Sequence, residues 1–210
     1  MTEKRYNFTV AQDWVPYFQD LFDTIEVNSF LEFGLGVGTE FICDNVKKVT
    51  SVELSLGDYN LDWTNQTKET LKDYTNWDLH YIQVPDEIIK SNQDAIDNQY
   101  PLEDISYLSI LGDLVNPFME GMEHDVIFVD AGIHNRGDIV NFSFGHAPII
   151  ACHDSDRTGR VIKNIYGYNI VNPPENYIEI HKDKNYCGTT FWVDNTFEGS
   201  KNVIDVLINS

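Results

Sequence analysis

Three glycines at alternate positions, Gly34, Gly36 and Gly38, follow an apolar run that begins at Phe30, and an acid, Glu32, stands two residues before the first of them. Glycine tolerates positive φ and has no Cβ, so a chain with this spacing can turn sharply off a strand and press its backbone against a ligand. A helix after such a turn offers unpaired N–H groups at its start. A second apolar segment, Val49 to Leu54, carries Glu53 near its end. That is about 20 residues beyond the glycines, where a carboxylate can accept hydrogen bonds from both hydroxyls of a ribose. The chemistry this set supports is the holding of a nucleoside-like cofactor.

The details of the turn select among nucleosides. A dinucleotide fingerprint needs a third small residue so that the following helix packs close while the pyrophosphate rests on its N-terminus; here that position is Thr39. Glu32 suits a cation better than a pyrophosphate. The run Glu32-Phe33-Gly34-Leu35-Gly36-Val37-Gly38 resembles motif I of the class I S-adenosylmethionine (SAM)-dependent methyltransferases. The resemblance implies that the glycines form the cofactor loop, that Glu32 lies near the methionine end and that Glu53 holds the ribose. It also implies a Rossmann-like three-layer α/β sandwich, with a seven-stranded, mostly parallel sheet and an antiparallel closing strand.

The elements that must position these residues alternate as a doubly wound α/β fold requires, without internal repeats. Residues 1–28 are expected to form an N-terminal helical cap, with Trp14, Tyr17, Phe18 and Phe22 as core. Two segments compete for the third strand: Leu79 to Val84 and Ile105 to Leu111. The second is preferred, because Gly112-Asp113 then resembles the Gly-Asp that follows the third strand in these enzymes, which implies an adenine contact for Asp113; a surface turn is the alternative. His124 to Asp130 and Pro148 to Cys152 read as buried strands, Asn135 to Phe144 and Arg157 to Tyr166 as helices, and Tyr177 to His181 with Thr189 to Val193 as the closing antiparallel pair. Ligands of open sheets bind beyond the carboxyl ends of the strands, so Asp130, His153 and Asp154 should share a crevice with the glycines.

Methyl transfer to a hydroxyl requires removal of a proton, by a histidine or carboxylate or with help from a divalent metal. Asp130 and His134 are the candidates for that step. The pattern Val129-Asp130-Ala131-Gly132-Ile133-His134 with a later His153-Asp154 resembles small-molecule and sugar O-methyltransferases, whose metal-dependent members bind magnesium. Carried over, the resemblance implies Asp130, His153 and Asp154 as ligands. His153-Asp154-Ser155-Asp156-Arg157 is likewise similar to a stretch of the plant glucuronoxylan 4-O-methyltransferases. The chain departs from the first pattern by an extra residue between Asp130 and His134 and by lacking the aromatic that commonly follows the histidine. His153 is also an odd ligand for magnesium, which prefers oxygen. Arg136 and Arg157, if they reach the crevice, would bind a substrate carboxylate or phosphate; the alternative is a surface ion pair. Asp130 could instead cap a turn, and Asp154 or Asp156 a helix.

Length and charge set the outer bounds. The 210 residues, 42% of them apolar, suit a single domain spanning 1–210. No apolar run approaches a membrane span and the N-terminus has no signal-like stretch, so a cytoplasmic location is expected. Cys43, Cys152 and Cys187, odd in number and widely spaced, read as reduced thiols rather than a disulfide or zinc framework. With 14 basic against 34 acidic residues and a net charge of −20, the chain repels polyanions. DNA and RNA are therefore disfavoured, and Asn172-Pro173-Pro174-Glu175 reads as a turn rather than a base-methylating loop. The expected function is SAM-dependent methylation of a small-molecule or carbohydrate hydroxyl, with magnesium as an optional further cofactor. A non-catalytic SAM-binding scaffold and an NAD-linked oxidoreductase are the alternatives.

Overall fold

A computed structural model describes residues 13–57, 61–155, 164–182 and 188–210. Its centre is a seven-stranded sheet made of β1 (Ser29–Phe33), β2 (Lys48–Ser55), β3 (Trp77–Gln83), β4 (Val126–Val129), β5 (Ile149–His153), β6 (Tyr177–Lys182) and β7 (Thr189–Asp194). The strand order is β3-β2-β1-β4-β5-β7-β6. β7 runs antiparallel to both neighbours, while β1 to β5 pair in parallel. The order reverses between β1 and β4, and that is where such sheets open a ligand crevice.

The central strands are apolar on both faces because helices cover both. Phe30, Val49, Phe128, Ala151 and Phe191 pack with α1 (Val15–Thr24), α2 (Val37–Asn45) and α7 (Ser200–Asn209). Leu31, Val52, Val129, Cys152 and Trp192 pack with α4 (Asp86–Asn98), α5 (Tyr107–Val115) and α6 (Arg136–Ser143). One more helix, α3 (Leu61–Leu71), lies beside α2. Successive side chains alternate between faces. Glu32, Ser51, Glu53, Asp130 and His153 therefore all turn to the side covered by α1 and α2.

Of the expected N-terminal cap, the described residues include α1, Val15–Thr24. Pro16 in the first turn of α1 suits the fixed φ of proline, and Tyr17, Phe18 and Leu21 are buried. Trp14 and Phe18 meet edge to face at 5.3 Å, and both rings reach Phe128. The closing pair forms as expected. Asn172 to Glu175 leads into a turn in which the Tyr177 N–H donates to the Pro174 carbonyl at 3.0 Å. Cys43 and Cys152 are buried free thiols; Cys187 lies outside the described residues.

The third strand is a correction. It is Trp77–Gln83, and 105–111 contributes instead to α5. Tyr107, Leu111 and Val115 recur every four residues and are all buried, which is the period of a helix face rather than of a strand. β3 is one of the sheet's two edge strands and half-exposed, so its sequence alternates polar and apolar and reads less strongly than a central strand. Asp113 consequently sits exposed on α5 and ends no strand. The geometric basis for its adenine contact is gone.

Candidate active site

The bend after β1 is held from three sides. Gly34 has φ +101°, and a Cβ there would lie 2.3 Å from the Asp130 carbonyl oxygen, so glycine lets β1 and β4 meet at their ends. A Cβ on Gly38, in the first turn of α2, would lie 2.3 Å from the Trp14 ring. Gly36 has extended backbone, with Trp63 standing 3.3 Å from where its Cβ would be. The glycines thus accommodate protein neighbours as well as shaping the loop.

The two acids expected near a cofactor are both at the bend. The Leu35 N–H donates to Glu53 Oε2 at 3.2 Å, while the Leu35 carbonyl accepts from Trp63 Nε1 at 2.9 Å. Glu32 is buried and accepts from Thr39 Oγ1 at 2.9 Å and from the Ser51 hydroxyl. The Gly36 N–H donates to Thr39 and Trp77 Nε1 donates to Ser51, so the carboxyl is coupled to the loop backbone. Burial pushes the Glu32 pKa up to about 8, with Asp130 and Glu53 adding to the rise against the two hydroxyl bonds.

Above the bend lies a cavity of about 350 Å³. Its walls are the glycine loop, the carboxyl residues Glu32 and Asp130, and the aromatic residues Trp14, Trp63 and Phe128; no Lys, Arg or His lines it among the described residues. Carboxylates and ring faces both favour a positively charged ligand. Trp14 was expected only as core, and Trp63 was not among the expected site residues. Neither carries a sequence signal for a site, because each reaches the loop through tertiary packing.

At the edge formed by β4 and β5 the residues pair with one another. Arg136 Nη1 donates to Asp130 Oδ1 and to Asp154 Oδ2, both at 2.9 Å, and to the His153 carbonyl at 3.3 Å. Its Nε donates to the Ala131 carbonyl at 2.8 Å, and the guanidinium lies 4.2 Å from the Tyr166 ring centre. His153 faces Asp130 with Nδ1 at 3.3 Å and Asp13 with Nε2 at 2.8 Å. Burial opposes the charge on His153, but Asp130 and Asp13 outweigh it and lift its pKa to about 10. Burial likewise opposes the charge on Asp130, but His153 and Arg136 hold its carboxyl below the usual range. Asp130 Oδ2 accepts no hydrogen bond among the described residues. Asp13 was not singled out by the sequence; it comes to the site through the fold of the cap.

Arg136 is therefore not available to a substrate anion, and it is no surface pair either: it is an internal counter-ion, 6% exposed. Arg157 and Asp156 lie outside the described residues. His134 is half-buried in the turn before α6. Its N–H donates to Asn92 at 2.5 Å, its ring lies 5.1 Å from Tyr166, and its Nδ1 has no partner among the described residues. Burial, with Arg136 nearby, pushes its pKa down, so the ring is neutral at pH 7. Below it a buried network joins α4, α5 and α6: Asp138 accepts from Tyr107 at 2.9 Å and Tyr100 at 3.3 Å, and Asn135 accepts from Asn92 at 2.8 Å.

Asp130, His153 and Asp154 do come together, with one ligand atom from each within 4.8 Å of the others. The donor set does not fit magnesium. Arg136 already bridges the two carboxylates, and both nitrogens of His153 face carboxylates.

No family model and no curated protein sequence matches this chain. Solved structures do match its fold. An O-methyltransferase from Bacillus cereus in complex with SAH is 15% identical with a TM-score of 0.53, covering 90% of this chain and 84% of that one. The O-methyltransferase TomG from Streptomyces achromogenes, involved in tomaymycin synthesis and solved with SAM, is 11% identical with a TM-score of 0.53, covering 90% and 82%. A methyltransferase from Geobacter sulfurreducens is 9% identical with a TM-score of 0.50, covering 92% and 81%. The chain thus has the Rossmann-like fold that these methyltransferases share.

Proposed function

We propose that this chain is a SAM-dependent methyltransferase acting on a hydroxyl of a small molecule or sugar. The observation that carries the reading is the cavity over the glycine bend, walled by aromatic rings and carboxyl groups, with Glu53 held against the loop by the Leu35 N–H. The fold shared with O-methyltransferases solved with SAM or SAH supports it. SAM supplies an electrophilic methyl group on a positively charged sulfur. Glu53 accepts hydrogen bonds from ribose hydroxyls. Glu32 and Asp130 offset the positive charge, and Trp14, Trp63 and Phe128 exclude water around it. A cation in the cavity also draws the Glu32 carboxyl back towards its ionised form.

The acceptor's proton goes to His134 in this reading. Asp130 is stabilised as a carboxylate by two cations and is a weak base; His153 is already protonated; His134 is neutral, with an unpartnered Nδ1 that is buried and outside the walls of the SAM cavity, so the acceptor must extend beyond that cavity and uncover it. Asp130 then acts through its charge. The net charge of −20 disfavours nucleic-acid acceptors. No helix among the described residues is long and apolar enough to cross a membrane.

Calorimetry with SAM tests the cofactor half. Glu53→Ala should weaken binding on the order of tenfold or more, since two hydrogen bonds to a charged group are lost; unchanged affinity removes the assignment. Once a hydroxyl acceptor is found by following SAH release, His134→Ala should bind SAM normally and turn over on the order of 100-fold more slowly or worse. Undiminished turnover would exclude His134 as the base.

A further inference from the structure

We propose that the Arg136 guanidinium takes the place of a divalent cation between Asp130 and Asp154, so that this edge of the site works without a metal. The three side chains with ligand spacing, Asp130, His153 and Asp154, otherwise form the one group among the described residues with the composition and closeness of a metal site. Magnesium would need to approach its oxygens to about 2.0–2.1 Å in a near-octahedral shell. Arg136 Nη1 stands in that gap, 2.9 Å from an oxygen of each carboxylate.

The guanidinium is fixed there by contacts that have nothing to do with the acids. Nε is bound to the Ala131 carbonyl, Nη1 also reaches the His153 carbonyl, and the plane rests on Tyr166. Arginine does not give up its proton in proteins, and a buried guanidinium stripped of its acceptors is strongly disfavoured. It therefore cannot step aside as a lysine or a water could. His153 offers no replacement ligand, because Asp130 and Asp13 face its two nitrogens. Arg136 is a positioning residue in this scheme. It holds Asp130, which lines the cavity, by Oδ1. The inference deepens the methyl-transfer reading for its role in catalysis, but the occupancy of the carboxylate pair is a property of the chain alone.

Manganese is the probe, titrated into the whole protein and followed by the paramagnetic signal of the unbound ion, with circular dichroism to verify folding. Wild type should take up no ion that Asp154→Asn removes. Arg136→Gln should gain one ion, bound on the order of tenfold or more tighter than any wild-type uptake, because a buried positive charge has gone. Adding Asp154→Asn to that variant should abolish the gain. A wild-type protein that binds one manganese and loses it with Asp154→Asn overturns the proposal, and so does a folded Arg136→Gln that gains none. Should Arg136→Gln fail to fold, the comparison of wild type with Asp154→Asn decides alone: equal uptake by the two supports the proposal. Loss of SAM binding in calorimetry would refute the enzymatic reading and leave the manganese result standing.

Discussion

His153, 2% exposed between two carboxylates, ties the stability of the site to pH. Its folded pKa of about 10 lies above the ordinary 6.5. The stabilisation is therefore complete below about pH 6.5 and is lost as pH rises through about 10. Glu32 has the same sign: its pKa is raised from 4.5 to about 8 by burial, so its contribution is present below 4.5 and is lost as pH climbs through 8. Asp130 has the opposite sign, its contribution present above 3.8 and lost as pH falls. Urea unfolding should accordingly show stability falling between pH 6.5 and 10. His153→Gln should shrink that fall by ~1 kcal/mol or more, given about 1.4 kcal/mol per unit of pKa shift. An identical pH slope in the variant would show that the carboxylates do not hold the proton on this ring.

Among the elements, the junction of α1 with α2 carries a tight steric condition. Gly38 leaves room for the Trp14 ring, which also packs on Phe18, Phe41 and Phe128 and walls the cavity. Gly38→Ala forces its Cβ into that ring and should cost about 1–3 kcal/mol, as overpacking of a core does. Trp14→Phe in the same chain should return part of the loss, and denaturant melts of the two single variants and the double give the coupling. Additive losses would mean that the two residues do not meet. α5 teaches a different point. Its apolar residues are dense enough to pass for a buried strand over 105–111, and only the burial of Tyr107, Leu111 and Val115 on one side reveals the helix. β3 and its edge position explain why the true third strand was the weaker signal.

At the scale of the molecule, 34 acids against 14 bases produce a self-repulsion that the fold must tolerate. Among the described pairs, the deeply buried ones serve the β4–β5 edge, while Lys47–Glu26 and Lys72–Glu69 are exposed and contribute little. Screening should thus stabilise this chain rather than weaken it. Raising sodium chloride from about 10 mM to 0.5 M shortens the Debye length from roughly 30 Å to under 8 Å. The melting temperature should rise by about 2–4 °C for each ~1 kcal/mol of repulsion relieved in a chain of this size. A melting temperature that falls with salt would mean that attractive surface pairs dominate.

What the sequence determined by itself is what local rules control. Alternation of apolar runs and turns defined the doubly wound sheet, and the spacing of Gly34, Gly36, Gly38 and Glu53 located the bend and its acid. The carboxyl ends of the strands placed Asp130 and His153 beside that bend, while the register of the folded sheet put them on one face with Glu32. What only the tertiary structure decided is who meets whom across that face. Asp13 and Trp14 come from the cap, Trp63 from a helix on the far side of the loop, and Arg136 turns inward to bridge Asp130 and Asp154. Those pairings depend on distances between elements far apart in the chain. A carboxylate's role as ligand, base or counter-ion is set by the charge packed against it, and spacing along the sequence does not encode that charge.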